Sequence, residues 1–175
     1  MSSPSNSRVP EAVDAWRMVA ARTALEASTP LAAMARLRDG LVDAEGEVGY
    51  TMEFGTDALG VAFVELQVEA GLPLECQRSL RRFVLPVQLS QRLGLIRDEA
   101  DEAALPPGYE ALLVADDGML KPAELVEDEL ILALPVVPVS ADVEEVEREF
   151  APTAEEVAQA SPFAALAGLK KGHSP

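Results

Sequence analysis

The sequence predicts an α+β domain: an antiparallel β-sheet, open or barrel-like, packed with a few short helices and followed by a flexible acidic C-terminal tail. Three observations carry that prediction. Between Glu47 and Leu89 apolar residues recur at every second position, the period of half-buried strands. From Pro122 to Leu134 the spacing turns helical and stops at Pro135. Beyond Val139, acidic residues with Ala and Val take over, a composition that buries too little apolar surface to offset the entropy of ordering.

The composition sets bounds. The 175 residues suit one domain, with a disordered N-terminus (1–7), a single α+β body (8–140) and an acidic tail with a short amphipathic end (141–175). Hydrophobic residues make up 49% but aromatic residues only 5%, so the core is built from Val, Leu and Ala. A formal charge of −16 opposes docking on nucleic acid, which depends on clustered Lys and Arg, and favours basic protein partners. Cys76 is the only cysteine, which excludes an intrachain disulfide and fits a reducing compartment. No apolar run reaches membrane-spanning length and the N-terminus has no signal pattern, so a cytoplasmic location is expected, with no membrane partner.

Pro10 to Trp16 reads as one or two helical turns starting at Pro10 and Glu11, with Trp16 as an anchor. Met18 to Ala27 fits helix by its Ala content and strand by its alternation, and the reading adopted is strand. Ser28-Thr29-Pro30 reads as a helix cap with proline at the first position, followed by Leu31, Met34, Ala35 and Leu37 at helical spacing and ended by Gly40. Val48, Tyr50, Met52 and Phe54 then alternate against Glu47, Gly49, Thr51 and Glu53. After a turn at Gly55-Thr56-Asp57, Ala62, Val64, Leu66, Val68 and Ala70 form the hairpin partner. Leu72 to Cys76 extends that strand, with Pro73 marking an edge or bulge. Gln77 to Arg82 is a turn, Phe83 to Leu89 the returning strand, closed by Leu93 to Ile96, and 97–107 a loop. Tyr109 to Ala115 is a further strand, and Asp116-Asp117-Gly118 a turn into the Pro122–Leu134 helix. That helix is apolar nearly all round at its end, which predicts burial of its C-terminal half. Pro135 and Pro138 then frame an extended apolar strap.

No catalytic constellation is visible. The single histidine, His173, lies three residues from the end, and no Gly-rich phosphate loop is present. Glu127-Asp128-Glu129 reads as a solvated face. Cys76 beside Arg78 fits either a structural cysteine at a strand end or a thiol of lowered pKa. Arg78, Arg81 and Arg82 form a basic cluster, either a hairpin tip kept soluble or a contact for an acidic partner or an RNA phosphate.

Three segments together resemble the YceD family, the large ribosomal RNA subunit accumulation proteins. They are Leu74-Glu75-Cys76-Gln77-Arg78, Leu125 to Val139 with its acidic helix, Leu-Pro and Val-Pro strap, and Ser161-Pro162-Phe163-Ala164. Leu105-Pro106 and Tyr109-Glu110 fit between them. The resemblance implies a role in synthesis, processing or stability of the large-subunit (23S) ribosomal RNA, without an established enzymatic activity. Relatives often carry a second cysteine, a histidine and a third cysteine that resemble a metal site. Here the matching positions hold Ser79, Ser140 and an acidic residue near Glu145, so neither metal nor cofactor is expected.

The resulting expectation is an accessory factor of large-subunit assembly that binds rather than catalyses. Its partners would be large-subunit precursors, a basic ribosomal protein or an rRNA-processing factor, with direct RNA contact left open. The partner-binding residues expected are Glu124, Glu127 and Asp128, with Arg78, Arg81 and Arg82. The rivals are an acidic chaperone for basic proteins and a Mg²⁺-dependent hydrolase or nuclease. The latter requires Asp98, Asp101, Glu127 and Asp128 to converge.

Overall fold

A computed structural model describes residues 10–142. The expected N-terminal segment 1–7 and nearly all of the expected tail lie outside the described residues. The described architecture is α+β. A mixed five-stranded sheet has the order β2-β3-β4-β5-β6, and a two-stranded sheet pairs β1 with β7. The strands are β1 (Val13–Asp14), β2 (Ala24–Pro30), β3 (Glu47–Thr56), β4 (Ala62–Glu75), β5 (Arg82–Ile96), β6 (Glu110–Leu113) and β7 (Met119–Leu120), and the helices are α1 (Ala15–Ala21), α2 (Ala35–Arg38) and α3 (Pro122–Ala133).

The alternation read between Glu47 and Leu89 is the spine of the fold. Val48, Tyr50, Met52 and Phe54 of β3 stand opposite Ala70, Val68, Leu66 and Val64 of β4 in antiparallel register, and all eight are buried. Leu31, Met34 and Leu37 from the β2–β3 connection, Ala15 and Val19 of α1, and Leu125, Val126 and Leu130 of α3 complete the same apolar cluster. The aliphatic core expected from the composition is therefore present. Pro73 lies beyond the last β3–β4 pair, Val48–Ala70, and its C=O accepts a hydrogen bond from the Val42 N–H instead. This is the local edge that proline tolerates.

Several expectations are corrected. The sheet is not wholly antiparallel, because β6 runs parallel to β5. A parallel neighbour needs a crossover, which the 97–109 connection supplies with a 3₁₀ turn at Glu99–Ala104. The sheet stays open, with β2 and β6 as its edges. The first helix starts at Ala15 rather than Pro10, because the Asp14 side chain caps it by accepting the Arg17 N–H at 2.9 Å. Met18 to Ala21 belongs to that helix, where the Ala-rich sequence favours it, and left-handed Arg22 (φ 49°) ends it before β2 begins. Ser28-Thr29-Pro30 ends β2 rather than capping a helix, with Pro30 paired opposite Glu47. β5 runs from Arg82 to Ile96, with Leu93 to Ile96 closing it as expected. Two-residue strands β1 and β7 carry no periodicity and were not anticipated.

The final helix spans the expected residues, with proline in its first turn. Burial follows one stripe along the whole helix, however, and is not confined to the C-terminal half. Pro122, Leu125, Val126, Glu127, Glu129 and Leu130 are buried, whereas Leu132 is 79% and Val136 fully exposed. Gly40 explains how the chain passes this point. A β-carbon there would lie 2.8 Å from Leu134 Cδ1, so a glycine leaves room for the leucine at the helix end.

Candidate partner-binding surfaces

Glu127 is not part of a solvated face. It is 7% exposed, and its Oε1 accepts the main-chain N–H groups of Arg36 (2.7 Å) and Leu37 (3.0 Å), at the start of α2. Its Oε2 accepts Arg36 Nη2 at 3.0 Å and Nε at 3.2 Å. Arg36 Nη1 also donates to Asp128 Oδ1 at 2.5 Å. Burial pushes the Glu127 pKa up, but the Leu37 and Arg36 amides and then the guanidinium outweigh it and hold the carboxyl below its usual range. The site thus fastens α3 to α2. Glu124 and Asp128 remain exposed, Glu124 with Lys121 as its ion-pair partner at 2.8 Å.

Glu129 is also buried, at 9% exposure. Burial and then the charge of Glu110 on β6 raise its pKa, against a lowering hydrogen bond from Gln91 on β5. It lies four residues after Leu125 and so on the buried stripe, a position the helical spacing could have shown.

The basic cluster stays at the β4–β5 hairpin tip, but its members differ. Arg82 is engaged through Nε to Asp43 Oδ2 at 2.6 Å and through Nη2 to Glu45 Oε2 at 3.4 Å. Arg78 and Arg81 are exposed. Cys76 is fully buried and donates its N–H to the Arg81 carbonyl at 2.9 Å, while the Gln77 N–H reaches the Pro138 carbonyl at 2.9 Å. Arg82 is therefore taken up by carboxylates rather than open to a partner.

Sequence reasoning read Glu47 and Glu53 as outward but assigned no role to the sheet face turned away from the core. The register places Glu26 (β2), Glu47 and Glu53 (β3) and Glu65, Glu69 and Glu75 (β4) on it, with Arg82 and Arg92 of β5. Glu53 stands directly opposite Glu65, which is in turn opposite Arg92. Like charges in such cross-strand positions are unfavourable, so the face is held by the core behind it. At one corner the Arg92 guanidinium lies 4.5 Å from the Phe63 ring centre and 5.2 Å from that of Tyr109. The Tyr109 hydroxyl donates to Asp57 Oδ2 at 2.7 Å. The signal for this face was the same alternation, read for its outward residues.

Among the described residues, no three His, Cys, Asp or Glu side chains come together as a metal-ion site, and no helix is long and apolar enough to cross a membrane. The fold and its surfaces define an acidic α+β protein built on one mixed sheet with helices on one face. Residues 64–170 match the sequence profile described as large ribosomal RNA subunit accumulation protein YceD. A curated relative of that name from Haemophilus influenzae is 32% identical over 143 residues, covering 78% of this chain and 81% of the relative. No solved structure gives a significant match. The chain belongs to the YceD family of large ribosomal RNA subunit accumulation proteins.

Proposed function

We propose that this protein is an accessory factor of large-subunit ribosome biogenesis that acts by holding a basic protein partner, a ribosomal protein or an rRNA-processing factor, rather than by catalysis. The observation that carries this reading is the outward sheet face, where Glu26, Glu47, Glu53, Glu69 and Glu75 are exposed against only Arg82 and Arg92. Such a field speeds encounter with a cationic partner and weakens as salt rises. Glu124 and Asp128 add exposed carboxylates on α3, whereas Glu127 contributes by fixing that helix. Of the tip arginines, Arg81 is exposed and compatible with an RNA phosphate, and Arg82 is paired to Asp43. The hydrolase reading is disfavoured because both Glu127 oxygens are taken by N–H donors, and Asp98 uses its Oδ1 to accept the Ala100 N–H at 2.9 Å.

The test is a pull-down from growing cells, read for both protein and RNA, with wild type and with Glu26, Glu53 and Glu69 each changed to Lys. Wild type is expected to retain large-subunit precursors with their basic proteins, and the folded triple variant to lose them. Equal capture by both, or no large-subunit material with wild type, removes this reading.

A further inference from the structure

We propose that the open edge of β2 accepts an extended basic segment of a partner protein as an added antiparallel strand. The reasoning starts from which main-chain groups of β2 are already used. At one end the Thr23 carbonyl accepts the Phe54 N–H at 3.0 Å, and at the other the Leu31 N–H reaches the Gly46 carbonyl at 3.0 Å. Both contacts continue the β2–β3 register. In an antiparallel ladder, residues that exchange bonds with their neighbour alternate with residues that turn both groups away. Leu25, Ala27 and Thr29 therefore bond to β3, and Ala24, Glu26 and Ser28 direct N–H and C=O outward. No main-chain partner for those outward groups is present among the described residues. Pro30, which has no N–H, falls on the outward row and ends its line of donors.

Apart from Pro30 at its end, this edge lacks the features that usually block strand addition. It is seven residues long and has no Lys, with Glu26 as its only charge. Its chemistry selects the occupant. On one face lie half-buried Leu25 and Ala27, suited to apolar residues at alternate positions of the added strand. On the other lies Glu26, with Glu53 opposite small Ala24 and with Glu47 accepting the Ser28 hydroxyl at 3.1 Å. A Lys or Arg crossing Ala24 or Ser28 meets those carboxylates. A second copy of this chain would instead set Glu26 against acidic neighbours, which charge repulsion opposes. Beyond the Thr23–Phe54 contact β3 continues without β2, and an open cavity of about 310 Å³ lined by Arg22, Ala24, Glu53, Gly55 and Phe63 continues the edge. Main-chain bonds would supply affinity and the alternation specificity, as in other strand-addition interfaces.

The inference rests on the basic-partner reading above, but its test contains no ribosomal material, so the two can fail separately. A capped, labelled octapeptide alternating Lys and Val is titrated into the full chain at physiological salt and followed by anisotropy. Saturable binding is expected, weakened at least about tenfold when alternate peptide amides are N-methylated, which removes strand donors and keeps the charge. Ser28→Pro removes an outward N–H without touching the β3 ladder and is expected to weaken binding similarly, and Glu26→Lys to weaken it severalfold. The N-methyl arm uses unaltered protein, so the result stands even if Ser28→Pro fails to fold. Equal affinity for the methylated peptide, or equal binding of a Glu–Val peptide, overturns the proposal. So does a dimer in sedimentation that Ser28→Pro dissolves, which would place a second copy on the edge.

Discussion

Glu127 holds Arg36 twice, by the main-chain N–H at 2.7 Å and by the guanidinium at 3.0 Å, across 91 residues of sequence. The carboxylate also takes the Leu37 N–H, so one side chain satisfies amides at the start of α2 that would otherwise lack partners beside the core. Arg36 is 53% exposed, so its ion pair is screened by solvent and the amide bonds carry most of the effect.

Glu127→Gln is expected to cost about 2 kcal/mol near pH 7, the scale of hydrogen bonds to a charged acceptor. Because the folded pKa lies below the unfolded one, this stabilisation is present above the ordinary carboxylate value and is lost as pH falls through the folded value. Denaturant melts of the two proteins should differ at pH 7 and converge in acid. A constant difference across that range would show that shape rather than charge matters.

Glu129 has the opposite sign. Its folded pKa is raised, so its favourable, protonated form persists at low pH and the advantage is lost as pH rises through the folded value. Glu129→Gln should raise the melting temperature at neutral pH by about 2–4 °C and do little below the ordinary carboxylate range. A lower melting temperature at pH 7 would mean that the ionised carboxylate is well paired.

The core strands were legible because period two needs no tertiary information: Val48, Tyr50, Met52 and Phe54 state their side by themselves. Helix Pro122–Ala133 was legible for the same reason. Glu127 was not, since its burial depends on Arg36 in a distant segment, and local spacing cannot reveal that partner. The Ala-rich stretch after Trp16 supports both helix and strand, and the Asp14 cap with left-handed Arg22 decided where the first ended. The parallel β6 depends on a crossover path that short patterns do not encode. The Arg78, Arg81 and Arg82 cluster was visible as charge, but the pairing of Arg82 with Asp43 was not.

Cys76 is buried, and no three His, Cys, Asp or Glu side chains come together as a metal-ion site among the described residues. Melting curves with and without a strong chelator are expected to superimpose. Stoichiometric zinc release with a lowered melting temperature would refute this, since structural zinc contributes directly to folding.

The end of α3 offers the sharpest packing test. Leu130 is fully buried, and Leu130→Ala should cost roughly 2–5 kcal/mol. Leu132 is exposed, and its truncation should cost less than about 0.5 kcal/mol. Leu134, half-buried against the core cluster, also lies over Gly40, with its Cδ1 2.8 Å from where a β-carbon would sit. Gly40→Ala would reduce the entropy of the unfolded chain, worth about 0.4–1 kcal/mol when the space is free. Here the new methyl must displace Leu134, so the single substitution should destabilise, by about 1 kcal/mol. In a Leu134→Ala background the obstacle is gone and the same Gly40→Ala change should stabilise. The two substitutions should therefore couple in a double-mutant cycle. Additive effects would show that Leu134 moves aside freely and that Gly40 serves the turn alone.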